Sequence, residues 1–228
     1  MKNIVICHGA NSGGWAWNGV KKILEEKGHT VYTPTYVGCG EKIHLANPNI
    51  TLHTVIQDIV NVIEYERLQN IVLIGHSFGG AVISGVAEQI PDCIEKMIYL
   101  DAMVLNDGEA VSDLYPLELA TYIQSLVDQN GDGWKLPVLP EEKYDDRLCD
   151  HPFNCFTTKL KLRNEKADNI HKIYINCVEK ENNPKYYSIF RSLDRAIKKG
   201  MTIENYKAGH IPNIEKPVDF ANYLHSLL

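Results

Sequence analysis

The stretch that decides the fold is Ile71-Val72-Leu73-Ile74-Gly75-His76-Ser77-Phe78-Gly79-Gly80-Ala81-Val82-Ile83. The unbroken Ile/Val/Leu run is what a strand looks like when both faces of its sheet are covered. From Gly79 to Gln89 small residues follow at helical spacing, and Pro91 closes that run. Between the two, Gly75-His76-Ser77-Phe78-Gly79 fits Gly-x-Ser-x-Gly, a sharp strand-to-helix turn with the serine at its tip. The glycines have a steric reason. Two positions either side of Ser77 pass close to its backbone, where a side chain would collide.

The same alternation continues outward. Asn3–Cys7 is a β-type run ending at His8-Gly9, and Trp15–Lys27 is helical, stopped by Gly28. His29–Pro34 reads as a strand. Thr51–Tyr65 is a helix with Val55, Ile59, Val62 and Ile63 on one face and Thr51 or Thr54 as its cap. Lys96–Leu100, Ile170–Cys177 and Met201–Tyr206 are further strands, and Lys185–Lys198 and Val218–Leu227 further helices. Strand and helix in alternation predict a mostly parallel sheet of about six strands with helices on both faces. Met103–Lys166 breaks the rhythm: it holds Pro116, Pro137, Pro140 and Pro152, weak helical patches and no convincing strand. The expected organisation is a core of residues 1–102 and 167–228, with 103–166 as a small helical cap over the carboxyl edge of the sheet.

Composition narrows the function. The 228 residues carry 23 basic and 29 acidic side chains, a net charge of −6, with no basic run to follow a phosphate backbone, which excludes general nucleic-acid binding. The apolar stretches are strand-sized, far short of the roughly 18 residues of a membrane span. Met1–Gly9 is too short an apolar run for a secretion signal. Cys7, Cys39, Cys93, Cys149, Cys155 and Cys177 are therefore expected to stay reduced, in a cytoplasmic protein.

A serine hydroxyl needs an adjacent base to become a nucleophile. Of the nine histidines, His210 in Gly209-His210-Ile211-Pro212 follows the last strand, and the order serine then histidine suits acyl transfer. His76 is expected to point away from the reacting face, and His8 to shape its own loop. The base needs a carboxylate to fix its tautomer. Asp101 closes the strand after the Ser77 helix, while Glu179 and Glu181 lie in the loop after Cys177; both locations are open. Backbone N–H groups of Ala10 and Phe78 are the expected donors to a developing oxyanion. Asn11, Ser12 and Trp134 are candidate substrate contacts, with Phe153 and Phe156 as further aromatic candidates in the insertion. Cys149-Asp150-His151 lacks a second ligand pair, so no metal is expected, and side-chain chemistry of this kind needs no cofactor.

With these residues in place the chain resembles the α/β-hydrolase superfamily, and most of all the branch of plant methylesterases, hydroxynitrile lyases and small bacterial esterases. The resemblance runs nearly end to end: His8-Gly9-Ala10-Asn11-Ser12-Gly13-Gly14-Trp15-Ala16-Trp17, Gly38-Cys39-Gly40-Glu41 with His44-Leu45, the turn at Gly75–Gly80, Tyr99-Leu100-Asp101-Ala102 and Gly209-His210. It implies a serine hydrolase cleaving a small carboxylic ester through Ser77, His210 and an acid, with lactone or natural-product hydrolysis as an alternative and a non-hydrolytic ligand-binding protein as another. Many such relatives are dimeric, which leaves a homodimer open. The acid of the plant members falls where this chain has Lys180. Asp101, 24 residues after Ser77, resembles the other acid site used in the superfamily and is favoured, with Glu179 next. The lyases carry threonine in place of Gly9 and lysine in place of Ile211, which favours ester hydrolysis over cyanohydrin cleavage.

Overall fold

A computed structural model describes residues 1–140, 143–180 and 183–228. In chain order the elements are β1 (Asn3–Cys7), α1 (Asn18–Glu26), β2 (Thr30–Tyr32), α2 (Leu52–Tyr65), β3 (Ile71–His76), α3 (Gly79–Gln89) and β4 (Ile94–Leu100). Then come α4 (Leu117–Asn130), β5 (Lys135–Leu136), β6 (His151–Pro152), α5 (Asn154–Thr157) and α6 (Glu165–Asp168). The chain closes with β7 (His171–Cys177), α7 (Tyr187–Lys198), β8 (Thr202–Tyr206), α8 (Pro212–Glu215) and α9 (Pro217–Leu227).

Six strands form one sheet in the order β2-β1-β3-β4-β7-β8. Every pairing in it is parallel. Strand side chains alternate faces, so the core divides in two. Val5, Cys7, Leu73, Met97, Tyr99 and Tyr174 pack toward α2 and α3. Ile4, Ile6, Val72, Ile74, Ile98 and Leu100 pack toward Trp17, Leu24, Phe220 and Leu224 of the opposite layer. The pure aliphatic sequence of β3 is the consequence: each of its residues is buried.

Local chemistry sets the boundaries. Thr51 caps α2 by a reciprocal pair, its hydroxyl accepting from Thr54 N–H at 3.4 Å and Thr54 Oγ1 accepting from Thr51 N–H at 3.2 Å. The helix expected from Trp15 begins instead with a 3-10 turn, Gly14–Trp17. At its start the Gly14 N–H is tied to Thr35 Oγ1 at 2.8 Å, and a Cβ there would run into the Thr33 carbonyl.

The segment expected to lack strands contains a short antiparallel pair, β5 with β6, which registers Leu136 against His151. Two-residue strands carry too little alternation to be read from sequence. The weak helical patches include the full 14 residues of α4. Among the described residues no helix is long and apolar enough to cross a membrane.

Candidate active site

Strand register builds the site. Cys7 pairs with Gly75, so Gly9 lies beside Ser77. His76 pairs with Leu100, so Ser77 lies beside Asp101. Leu100 pairs with Ile175, which brings Asp101 next to the end of β7. Four neighbouring strands of a parallel sheet thus deliver their carboxyl ends in a row, about 4.8 Å apart.

Ser77 sits at φ +51°, in the left-handed region that non-glycine residues rarely occupy. Its N–H donates to Leu100 O at 3.2 Å, and its carbonyl accepts from Met103 N–H at 2.9 Å. A Cβ on Gly75 would lie 2.5 Å from Gly79 O, and one on Gly79 or Gly80 would collide with the carbonyls of Cys7 or Met103. These contacts are the steric demand that the glycines of the motif satisfy. Phe78, the residue before α3, is fully buried against the rings of Phe156 at 5.0 Å and Tyr36 at 6.1 Å.

Asp101 is wholly buried, at φ +41°. Its Oδ2 lies 2.7 Å from His210 Nδ1. Its Oδ1 accepts from Lys180 Nζ at 2.8 Å and from Cys177 N–H at 3.2 Å. Burial alone would push the carboxyl upward, but the bonds and charges of His210 and Lys180 outweigh it and hold Asp101 below its ordinary value. With Nδ1 committed to the carboxylate, Nε2 is the ring nitrogen left to act as a base. No hydrogen bond joins Ser77 Oγ to His210; both side chains line one cavity of about 470 Å³. Serine–histidine bonds at resting sites are often long and tighten with substrate.

His76, expected to point away from the reacting face, packs against His210. Its Nε2 lies 2.8 Å from His210 O and the two rings are 4.9 Å apart. Burial, then the neighbouring imidazole, lower it to about 3, so it is neutral. Its Nε2–H therefore donates to the His210 carbonyl.

The loop after β1 is held from below and from the side. His8 Nε2 accepts from Tyr36 N–H at 3.2 Å, and Tyr36 OH donates to His8 O at 2.9 Å. Ala10 and Phe78 N–H take part in no hydrogen bond among the described residues, and Phe78 N–H stands at the positive end of α3. Gly9 lets the loop approach the serine: an added Cβ would lie 3.3 Å from Ser77 Cβ and 3.1 Å from His76 Nδ1.

Asn11 and Ser12, the candidate substrate contacts, line the cavity. The Asn11 amide, however, is committed: Nδ2 donates to Leu136 O and to Cys149 O, each at 3.0 Å. Trp134 is absent from the cavity wall; Lys135 Nζ lies 5.2 Å from its ring, and its carbonyl accepts from Phe153 N–H. Phe156 lines the cavity and Phe153 does not. Glu179 is exposed and pairs with Lys216 at 3.1 Å, with no hydrogen bond or ion pair to His210. Glu181 lies outside the described residues.

Two groups went unforeseen. Lys180 was noticeable only as a missing acid, and His151 only in a weak metal pattern. His151 is fully buried, 4.9 Å from the Phe78 ring and 5.2 Å from Phe156, and its Nδ1 accepts from Asn11 N–H at 3.3 Å. Burial lowers it to about 3. Among the described residues no three His, Cys, Asp or Glu side chains are placed to share a metal ion.

A parallel sheet whose third strand turns through a strained serine into a helix, with a histidine–carboxylate pair at the same edge, defines an α/β hydrolase. The model of the alpha/beta hydrolase family matches residues 4–223, and the chain belongs to that family. It is 44% identical over 119 residues to a carbendazim hydrolyzing esterase of Nocardioides sp., covering 52% of this chain and 49% of that protein. It is 29% identical over 104 residues to salicylic acid-binding protein 2 of Nicotiana tabacum, covering 45% and 40%. The chain thus spans about half the length, or less, of these curated relatives. Among solved structures it resembles an extracellular α/β-hydrolase from a Paenibacillus species, described as sharing structural and functional homology with tobacco salicylic acid binding protein 2. That likeness has a TM-score of 0.86 at 25% identity and covers 99% of this chain and 98% of the other.

Proposed function

We propose that this chain is a serine hydrolase that cleaves a small carboxylic ester through an acyl-enzyme. The observation that carries the reading is the 2.7 Å Asp101–His210 pair, with His210 and the strained Ser77 lining one cavity. Ser77 Oγ attacks the ester carbonyl while His210 Nε2 accepts the hydroxyl proton. Asp101 fixes the imidazole and stabilises the imidazolium that forms. The oxyanion is received by the N–H groups of Ala10 and Phe78. His210 then protonates the departing alcohol, and water, deprotonated by the same imidazole, releases the acid.

Further observations agree. Gly9 packs so tightly on Ser77 and His76 that the threonine of the lyases would crowd both, which favours hydrolysis. The cavity wall from residues 103–166, including Tyr115, Ile123, Leu126, Leu136 and Val138, is predominantly apolar and suits a small apolar acyl or alcohol group, with this segment serving as a cap. Six unpaired cysteines suit a reducing, cytoplasmic setting.

The test is a fluorophosphonate probe together with p-nitrophenyl acetate. Wild type is expected to be labelled and to turn over, and Ser77→Ala to do neither. A folded wild-type protein that escapes labelling would instead mark a non-hydrolytic binder.

A further inference from the structure

Lys180 is the unusual group at this site. Its side chain is 3% exposed, and its ammonium donates to Asp101 Oδ1 at 2.8 Å, Asn176 Oδ1 at 2.9 Å and Cys177 O at 2.7 Å. Its Nζ also lies 5.3 Å from the centre of the Phe190 ring. An ammonium so far from water is tolerated only when its partners are well placed. Asp101 does not need it for anchorage alone, because Cys177 N–H already bonds the same oxygen. What Lys180 adds is a full positive charge on the side of the carboxylate turned away from His210.

We infer that Lys180 is a positioning residue for the triad: its buried ammonium fixes Asp101 against His210 and offsets the charge of the carboxylate that the imidazole faces. The other groups facing this cluster do not compete. His76, behind His210, is neutral. The Cys177 thiol and Tyr174 hydroxyl on β7 are pushed up by burial and remain protonated. Tyr186 presents its ring to His210 at 5.1 Å. Glu215 is held by Gly209 N–H at 2.9 Å, Glu179 is paired with Lys216, and Lys185 is exposed at the cavity edge. Among the described residues around His210, Asp101 and Lys180 form the buried ion pair.

The inference rests on the proposed hydrolysis for its kinetic readout, and a second readout does not. Lys180→Gln keeps a donor for Asp101 without the charge, Lys180→Met keeps only the stem, and Lys180→Arg keeps the charge. The acid limb of kcat/KM for p-nitrophenyl acetate is expected to move up by about 1 pH unit in the Gln and Met variants and to stay in place in the Arg variant. In a Ser77→Ala background, the NMR titration midpoint of the His210 ring should rise by the same amount on Lys180→Gln. A structural role alone would lower the melting temperature and the rate at every pH while leaving limb and midpoint unmoved, and that result overturns the inference. If wild type neither turns over nor takes the probe, the hydrolase reading fails while the NMR comparison still decides the role of Lys180.

Discussion

Asn11 and Cys149 grip each other at two points. The Asn11 amide donates to Cys149 O at 3.0 Å, and Cys149 N–H donates to Asn11 O at 3.0 Å. The loop that carries Ala10 is thereby fastened to a segment more than a hundred residues away. Asn11 holds φ +58°, a conformation asparagine tolerates better than most residues. Asn11→Ala loses both side-chain bonds and the better tolerance asparagine has for that φ, for a loss of about 2–3 kcal/mol. The melting temperature should fall by about 5 °C or more, and kcat should fall with it as Ala10 N–H loses its seat. Asn11→Gly relieves the strain and should fall less. A lower melting temperature with kcat intact would show that the clamp does not position the oxyanion donor.

Asp101→Asn should reduce kcat/KM for p-nitrophenyl acetate by about 10³–10⁴. It should also destabilise the fold by about 3–5 kcal/mol, because the buried Lys180 ammonium loses its counter-charge. Adding Lys180→Met to Asp101→Asn should restore much of the stability and none of the rate. Urea midpoints of the single and double variants check this. A double variant no more stable than Asp101→Asn would contradict the pairing.

Glu179→Gln removes one partner of an exposed ion pair with Lys216. Such pairs contribute little, so the rate should be unchanged and the stability should shift by less than about 1 kcal/mol. A rate loss comparable to that of Asp101→Asn would transfer the acid to the loop after β7.

What could be read from the sequence followed from short-range rules. The Ile71–Ile74 run, the glycines around Ser77 and the position of His210 after the last strand each express a local steric or topological demand. Asp101 became legible as one of two open acid positions, which the family resemblance then favoured; in the fold, register sets it beside Ser77. Lys180 was not legible, because a lysine after a strand ordinarily reaches water, and only the folded neighbourhood of Asn176, Cys177 and Asp101 shows it sealed in. Trp134 misled for a related reason. Aromatic character marks burial but not direction, and this ring stands under Lys135 instead of in the cavity. Asn11 was placed correctly at the loop, yet its amide serves the insertion, a partner too remote for sequence spacing to suggest.

Three buried imidazoles make the fold sensitive to mild acid. Burial lowers His8 to about 4 and His76 and His151 to about 3, whereas in the unfolded chain each titrates near 6.5. Between those limits the unfolded state binds more protons, so stability falls as pH falls. Each histidine contributes up to about 1.4 kcal/mol per pH unit, and three approach about 4 kcal/mol per unit, a large part of a typical domain's margin. His29, 2.9 Å from His225, is lowered as well and adds to the same slope. The lowered carboxylates, Asp101 among them, lose their contribution only at more acidic pH, so urea unfolding between about pH 5 and 6.5 isolates the histidines. His151→Asn keeps an acceptor for Asn11 N–H and removes one titrating ring. Its stability should therefore decline less steeply over that interval, by up to about 1.4 kcal/mol per pH unit. An identical slope in variant and wild type would mean that His151 does not remain neutral in the folded protein.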